Sequence, residues 1–155
     1  MMEQFDLVAM GGTFDVIHNG HMELLNKSFS ISSKVIIGLS SDQLAAKRGK
    51  NLVSDYAKRL SLLKSVIEKN FPNSSYEISK LENDFGPAVT KGSVKALVVS
   101  EETSSKGVHL NELRAERNLP PVEIVVVPMI LAKDGKAISS TRIKNSEIDS
   151  SGNLN

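Results

Sequence analysis

Five short, dense apolar runs alternate with stretches of helical periodicity, and that alternation narrows the possible folds more than any other feature of the chain. The runs occupy residues 5–10, closed by Gly11 and Gly12, then 35–39, a weaker one at 76–78, 96–99, and 122–127, the richest in β-branched residues. Apolar runs this short, without polar alternation, read as strands buried on both faces. Helical spacing places Met22, Leu24, Leu25 and Phe29 on a helix over 19–29. A longer helix, opening at Ser54 and Asp55 and ending near 70, carries Leu60, Leu63, Val66 and Ile67 before Pro72 and Asn73 stop it. Shorter helices are expected from the caps Ser40, Ser41 and Asp42 through 47, over 86–91, over 106–118 ahead of Pro120 and Pro121, and from Ser139 through 145. Strands alternating with helices mean an α/β fold: five parallel strands covered by helices on both faces, joined by right-handed crossovers. Ligands of such sheets bind beyond the carboxyl ends of the strands, which directs attention to Gly11, Ser40, Ser100 and Pro128.

The 155 residues suit one domain over 1–145, with a small, polar tail at 146–155 that is expected to fray. Charge is nearly balanced, 19 Lys and Arg against 18 Asp and Glu, and aromatic content is 5%. Neither fits a nucleic-acid binder, which needs a basic surface or stacking platforms. The chain has no cysteine, which excludes disulfides, thiolate metal centres and thiol catalysis. No apolar run approaches the roughly 18 residues of a membrane span. The start, Met1-Met2-Glu3, carries an acid where a secretory signal needs a basic region, so a cytoplasmic protein without a membrane partner is expected.

The first run leads into Gly11-Gly12-Thr13-Phe14-Asp15-Val16-Ile17-His18-Asn19-Gly20-His21. The spacing is neither that of a P-loop nor that of a dinucleotide fingerprint, and the histidines lack metalloprotease spacing. His18 and His21 stand three apart at the opening of a helix, where free backbone N–H groups and the helix dipole favour an anion. Gly20 lets a ligand approach the backbone closely. Two imidazoles beside those groups make a donor cluster suited to a polyphosphate. Near the other end, Ser139 and Ser140 would cap a helix whose start can hold a phosphate, with Thr141 beside them and Arg142 adding charge. Lys47-Arg48-Gly49-Lys50 forms a basic loop beyond the second strand. Asp15 is read as ordering its loop, His109 as a surface residue, and Met22 and Met129 as packing.

Gly-Gly-Thr-Phe-Asp-x-x-His-x-Gly-His resembles the first signature of the nucleotidyltransferase superfamily, and Ile138-Ser139-Ser140-Thr141-Arg142-Ile143 resembles the second. Within that superfamily the chain looks most like the phosphopantetheine adenylyltransferases, in the branch of archaea and of eukaryotic coenzyme A synthase. The likeness runs over about residues 5–145 and includes Val35 to Leu39, Ala96 to Thr103, Asn111-x-x-Arg114-x-x-Arg117, and Ala132 to Arg142. It implies a Rossmann-like domain that transfers AMP from ATP to 4′-phosphopantetheine, giving dephospho-coenzyme A and pyrophosphate; the alternatives are cytidylyl transfer to a phospho-alcohol or adenylyl transfer to nicotinamide mononucleotide or flavin mononucleotide on the same fold, and, more remotely, a non-catalytic nucleotide-sensing module.

The resemblance also implies roles. His21 and His18 would donate hydrogen bonds to the phosphoryl oxygens, and Lys47 or Lys50 would bridge the acceptor phosphate and the α-phosphate. Gly11, Gly12, Thr13, Phe14 and Gly20 would lie along the ATP, with Thr13 and Phe14 also near the acceptor. Ser139, Ser140, Thr141 and Arg142 would hold the β and γ phosphates. Magnesium would be carried mainly by the phosphates of ATP, so no metal-binding side chain is expected. Bacterial relatives place arginines after the fourth strand, where this chain has Ser100-Glu101-Glu102-Thr103, which makes Arg114 and Arg117 candidates for the acceptor. Relatives also carry acids just before the arginine that opens the long helix. This chain has Ala57-Lys58-Arg59, and Arg59 is left without a role by analogy. Oligomeric state and feedback by coenzyme A stay open.

Overall fold

The computed structural model of the chain describes residues 4–155, leaving outside it the acidic start at residues 1–3 and the side chains of Pro87, Thr90, Ser140 and Thr141. The elements follow the expected alternation: β1 Phe5–Gly12, α1 Asn19–Ile31, β2 Ser32–Ser40, α2 Asp42–Lys47, α3 Tyr56–Asn70, β3 Tyr76–Leu81, α4 Pro87–Thr90, β4 Ala96–Ser100, a 3-10 turn Glu101–Thr103, α5 Ser105–Glu116, β5 Glu123–Val127 and α6 Ser140–Lys144. The five strands form one parallel sheet in the order β3-β2-β1-β4-β5. Sheet growth changes direction between β1 and β4, so the crevice that binds ligands in such folds lies beyond these two strands.

Alternation along each strand builds two cores. Val8 and Met10 of β1, Val35, Ile37 and Leu39 of β2, and Ala96 and Val98 of β4 face α1 and α3, where Leu25, Ile31, Leu63 and Ile67 close the layer. Ala9, Ile36, Leu97 and Val99 face the other way, onto Ala88 and Val89 of α4 and Leu110 of α5. The central strands β1, β2 and β4 are buried on both sides, which is why their apolar runs show no polar alternation, whereas the edge strands β3 and β5 are only partly buried and β5 exposes Val126.

Several boundaries differ from the sequence reading. β1 continues through Gly11 and Gly12, which pair with Gly38 and Leu39 of β2. The glycines therefore finish the strand rather than close it. β2 begins at Ser32, directly after α1, and the Ser32 hydroxyl donates to the Ser28 carbonyl at 2.7 Å to make the join. The helix expected over 86–91 is the short α4.

The tail, expected to fray, packs onto the domain in the structure. Ile148 is 1% exposed and packs on Ala132 and Ile138. Its segment folds into a small turn, with Ile148 bridged to Leu154 and the Asp149 N–H donating to the Asn153 carbonyl at 2.9 Å. Gly152, at φ 85°, lies so close to Ala132 that an added Cβ would stand 2.9 Å from the Ala132 Cα. The Ser150 carbonyl accepts from the Asn19 N–H at 3.2 Å, so the tail reaches the start of α1. Ile148→Ala should therefore cost about 2–4 kcal/mol in urea unfolding, as for other buried isoleucines. A loss near zero would return the tail to a solvated strand of chain.

Candidate active site

The carboxyl ends of β1 and β2 carry the site. Beyond Gly12 the chain turns through Phe14, whose φ of 50° lies in the left-handed region. The turn drives the Phe14 ring into the core, 1% exposed, beneath His21, with ring centroids 4.8 Å apart. Phe14 thus supports a histidine from below. Thr13 enters the site through its carbonyl, which accepts from Arg59.

His18 and His21 form a reciprocal cap on α1. His18 Nδ1 accepts from the Gly20 N–H at 3.0 Å, and His21 Nδ1 accepts from the His18 N–H at 3.2 Å. An imidazole that accepts at Nδ1 carries its proton on Nε2. Both rings therefore present an Nε2–H donor, stacked with centroids 4.0 Å apart. Burial pushes His18 down to about 4. Burial, then the charge of His18, then that of Lys50, pushes His21 down to about 3. The pair is neutral at physiological pH and donates without carrying charge. Gly20 serves this arrangement, because an added Cβ would stand 2.7 Å from the His18 ring. The backbone N–H groups expected to meet an anion are already used: Gly20 donates to His18 and Asn19 to Ser150. The imidazoles take over as donors.

Asp15 orders the loop as expected. Its carboxylate accepts from the Val53 and Ser54 N–H groups at 2.8 and 2.9 Å and pairs with Lys144 Nζ at 2.5 Å. Burial alone would raise its pKa, but Lys144 and the two N–H groups outweigh it and hold the carboxyl below the usual range. Lys144 also donates to the Asn51 carbonyl at 2.9 Å, so α6 is tied to the first signature loop.

Arg59, fully buried in α3, spans the base of the site. It donates to the carbonyls of Ser54 at 3.1 Å, Thr13 at 2.8 Å and Ser40 at 2.9 Å, and pairs with Asp42 at 2.7 Å. Sequence reasoning gave it no role. The available signal was its spacing: Arg59, Leu63 and Ile67 fall on one face at i, i+4 and i+8, so the arginine points inward.

Of the two candidate lysines, both exposed, Lys50 is the one whose charge reaches His21, whereas Lys47 ends α2 without that influence. Arg48 between them pairs with Asp84 at 2.6 Å and donates to the Ser40 hydroxyl at 3.3 Å. Ser139 accepts from the Arg142 N–H at 3.2 Å, as a cap should. The side-chain roles of Ser140 and Thr141 fall outside the described residues.

Two of the candidate arginines are engaged by groups of the protein itself. Arg142 is held by Asp134 and Glu147 and by the carbonyls of Lys136 and Ala137, so its guanidinium is committed within its own loop. Arg114 is fully buried and donates to the carbonyls of Pro120, Ala88, Lys91 and Val94. It closes the ends of α4 and α5 and does not face an acceptor. Arg117 is exposed just past the last turn of α5, far along that helix from its start beside β4. His109 is a surface residue, 3.7 Å from Glu112.

The cytidylyltransferase-like family matches residues 9–146. The chain is 41% identical over 150 residues to the phosphopantetheine adenylyltransferase of Methanosarcina barkeri, covering 95% of this chain and 91% of that protein. It is 40% identical over 154 residues to the phosphopantetheine adenylyltransferase of Pyrococcus furiosus, covering 99% and 96%. Among solved structures, a protein of unknown function from Archaeoglobus fulgidus superposes with a TM-score of 0.72 at 29% identity, covering 79% of this chain and 89% of that one.

The histidine geometry sets a pH dependence. Depressed folded pKa values mean that the unfolded chain binds more protons below the ordinary histidine value. The histidines' contribution to stability is thus complete above pH 6.5 and falls as pH drops toward about 4. Nitrogen-15 NMR at about pH 5.5, a unit below the ordinary histidine value, should find both rings neutral with the proton on Nε2. A ring that titrates near 6.5 would contradict the capped arrangement.

Proposed function

This chain belongs to the cytidylyltransferase-like family and, within it, to the phosphopantetheine adenylyltransferases, and from that premise we infer how its residues move AMP from ATP to 4′-phosphopantetheine. The observation that carries the reading is the pair of neutral imidazoles, both offering Nε2–H at the carboxyl end of β1.

A phosphate oxygen of the acceptor attacks the α-phosphorus of ATP. The new P–O bond forms as the bond from the α-phosphorus to its bridging oxygen breaks, and pyrophosphate leaves with that electron pair. A phosphate monoester is already anionic, so no strong base is needed. The protein's work is positioning and stabilising charge on the α-phosphoryl oxygens. His18 and His21 donate to these oxygens from fixed positions, and Lys50 supplies the bridging charge between the acceptor phosphate and the α-phosphate. Ser139, at the start of α6, lies toward the β and γ phosphates.

Magnesium belongs to this reading as part of the substrate, carried on the phosphates of ATP. Magnesium suits phosphate and water oxygens, which the triphosphate supplies. The ion would draw charge from the departing pyrophosphate. A cytoplasmic setting goes with the same reading: the chain has no cysteine, and no helix among the described residues is long and apolar enough to cross a membrane.

Pyrophosphate release tests the function. Turnover is expected with ATP and 4′-phosphopantetheine, and not with nicotinamide mononucleotide, flavin mononucleotide, or CTP and phosphocholine. Turnover with one of those pairs alone would overturn the acceptor. His21→Ala should lower kcat by at least about a hundredfold, as removal of an oxyanion donor does. Near-normal kcat in that variant would remove the histidine from the reaction. Lys50→Ala should lower kcat/KM by at least about tenfold and Lys47→Ala by less than about twofold, in line with the loss of one charge-assisted hydrogen bond. The reverse order would make Lys47 the bridge.

A further inference from the structure

The segment that follows α6 touches both signatures. The Glu147 N–H donates to the Arg142 carbonyl at 3.0 Å, and the Glu147 carboxylate accepts from Arg142 Nε at 3.1 Å. Ile148, buried, packs on Ile138, which opens the second signature, and on Ala132. This small apolar cluster is separate from both sheet cores. Gly152 gives its carbonyl to the Lys133 N–H at 2.8 Å. Between these anchors the chain reaches the first signature, where the Ser150 carbonyl accepts from the Asn19 N–H at 3.2 Å.

The turn is shaped for that reach. The Asp149 carboxylate accepts from the Ser151 and Asn153 N–H groups, both at 2.9 Å, and from Asn153 Nδ2 at 3.0 Å, which closes the chain around Ser150. Asn19, the first residue of α1, stands between two residues whose N–H groups are taken up within the signature: His18 donates to His21, and Gly20 to His18. The Asn19 N–H is held from outside it. Lys144 makes a different link, because it pairs with Asp15 in the loop before α1. The Ser150 carbonyl holds the helix itself. Both imidazoles cap that helix, so a shift of its first turn carries Nε2 of each ring with it. A displacement of about 1 Å near a reacting group can cost on the order of a hundredfold in rate.

We propose that residues 147–153 are a positioning strap for the reaction inferred above, on which the kinetic part of the test rests. Ile148 seats the strap on the second signature, and the Ser150 carbonyl fixes the first turn of α1. The strap thereby sets the spacing between the histidine pair and the Ser139 turn, and with it the alignment of the α-phosphate against the phosphates that leave. Its residues act through the two signatures and touch no substrate.

Asn19→Pro removes the N–H that Ser150 holds. Proline suits the first position of a helix, and His18, at φ −136° and ψ −180°, already has the extended backbone preferred before a proline. At a temperature where circular dichroism shows the chain folded, kcat should fall at least about tenfold. The KM for 4′-phosphopantetheine should move by less than about twofold, because alignment is lost while binding is kept. Asn19→Ala, which keeps the N–H, should hold kcat within about twofold. Gly152→Ala unseats the strap from its other side: at φ 85°, the added Cβ would stand 2.9 Å from both Ala132 Cα and Ile138 Cδ1. Gly135→Ala is its control, with similar backbone strain at φ 80° and no atom within 4 Å of the added Cβ. Gly152→Ala should lower kcat as Asn19→Pro does, and should speed hydrogen exchange of the Asn19 amide at least about tenfold. Gly135→Ala should do neither. Near-normal kcat in Asn19→Pro, equal losses in the two glycine variants, or unchanged Asn19 exchange in Gly152→Ala would overturn the proposal. If Gly152→Ala does not fold, Asn19→Pro decides alone. Failure of the acceptor reading would show differently, as unaltered protein that does not turn over 4′-phosphopantetheine, and Asn19 exchange would then decide the strap.

Discussion

The Arg59 guanidinium, fully buried beneath the carboxyl ends of β1 and β2, donates to carbonyls on three separate segments and pairs with Asp42 at the start of α2. Thr13 follows β1, Ser40 ends β2 and Ser54 precedes α3, so one side chain fixes the relative positions of all three segments. Burying a charge is costly unless its donors are satisfied, and here every edge of the planar fork meets an acceptor. The Asp15–Lys144 pair extends the same frame. Asp15 grips the backbone at Val53 and Ser54, Lys144 reaches it from α6, and the two signatures far apart in sequence become one wall.

On that frame the histidines are arranged in an unusual order of contacts. A helix start ordinarily meets an anion with its own N–H groups. In this chain His18 and the Ser150 carbonyl take up those N–H groups, and the rings turn their Nε2–H outward in exchange. The site thereby presents neutral donors held from behind by the backbone and from below by Phe14. Such donors need no reorganisation as charge develops on the α-phosphoryl oxygens. In the proposed reaction positive charge comes separately, from Lys50 beyond α2.

The fold was legible because period and length decided it. Runs of about three to six residues, broken by helical spacing, left only a parallel sheet, and both cores follow from residue alternation in β1, β2 and β4. The histidine site was legible from its local motif. The residues that were missed work through contacts between distant segments. Arg114 reads as half of a solvated pair with Arg117, but its neighbour one turn back is Leu110, on the buried face of α5. Arg142 reads as a phosphate ligand from its motif, whereas its ion pairs with Asp134 and Glu147 involve residues outside that motif. The tail reads as polar chain, yet Ile148 packs on Ala132 and Ile138, and the turn at Gly152 with the Ser150 carbonyl on Asn19 brings the segment back onto the domain.

Every residue assigned here binds, positions or donates a hydrogen bond, and none becomes bonded to the nucleotide. The stereochemical course at phosphorus tests that claim directly. ATP made chiral at the α-phosphorus with sulfur and oxygen isotopes would be converted to dephospho-coenzyme A, and the configuration of the product read by phosphorus-31 NMR. A single in-line displacement predicts inversion. Retention would contradict it, because it requires two displacements and an AMP-bearing side chain on the protein.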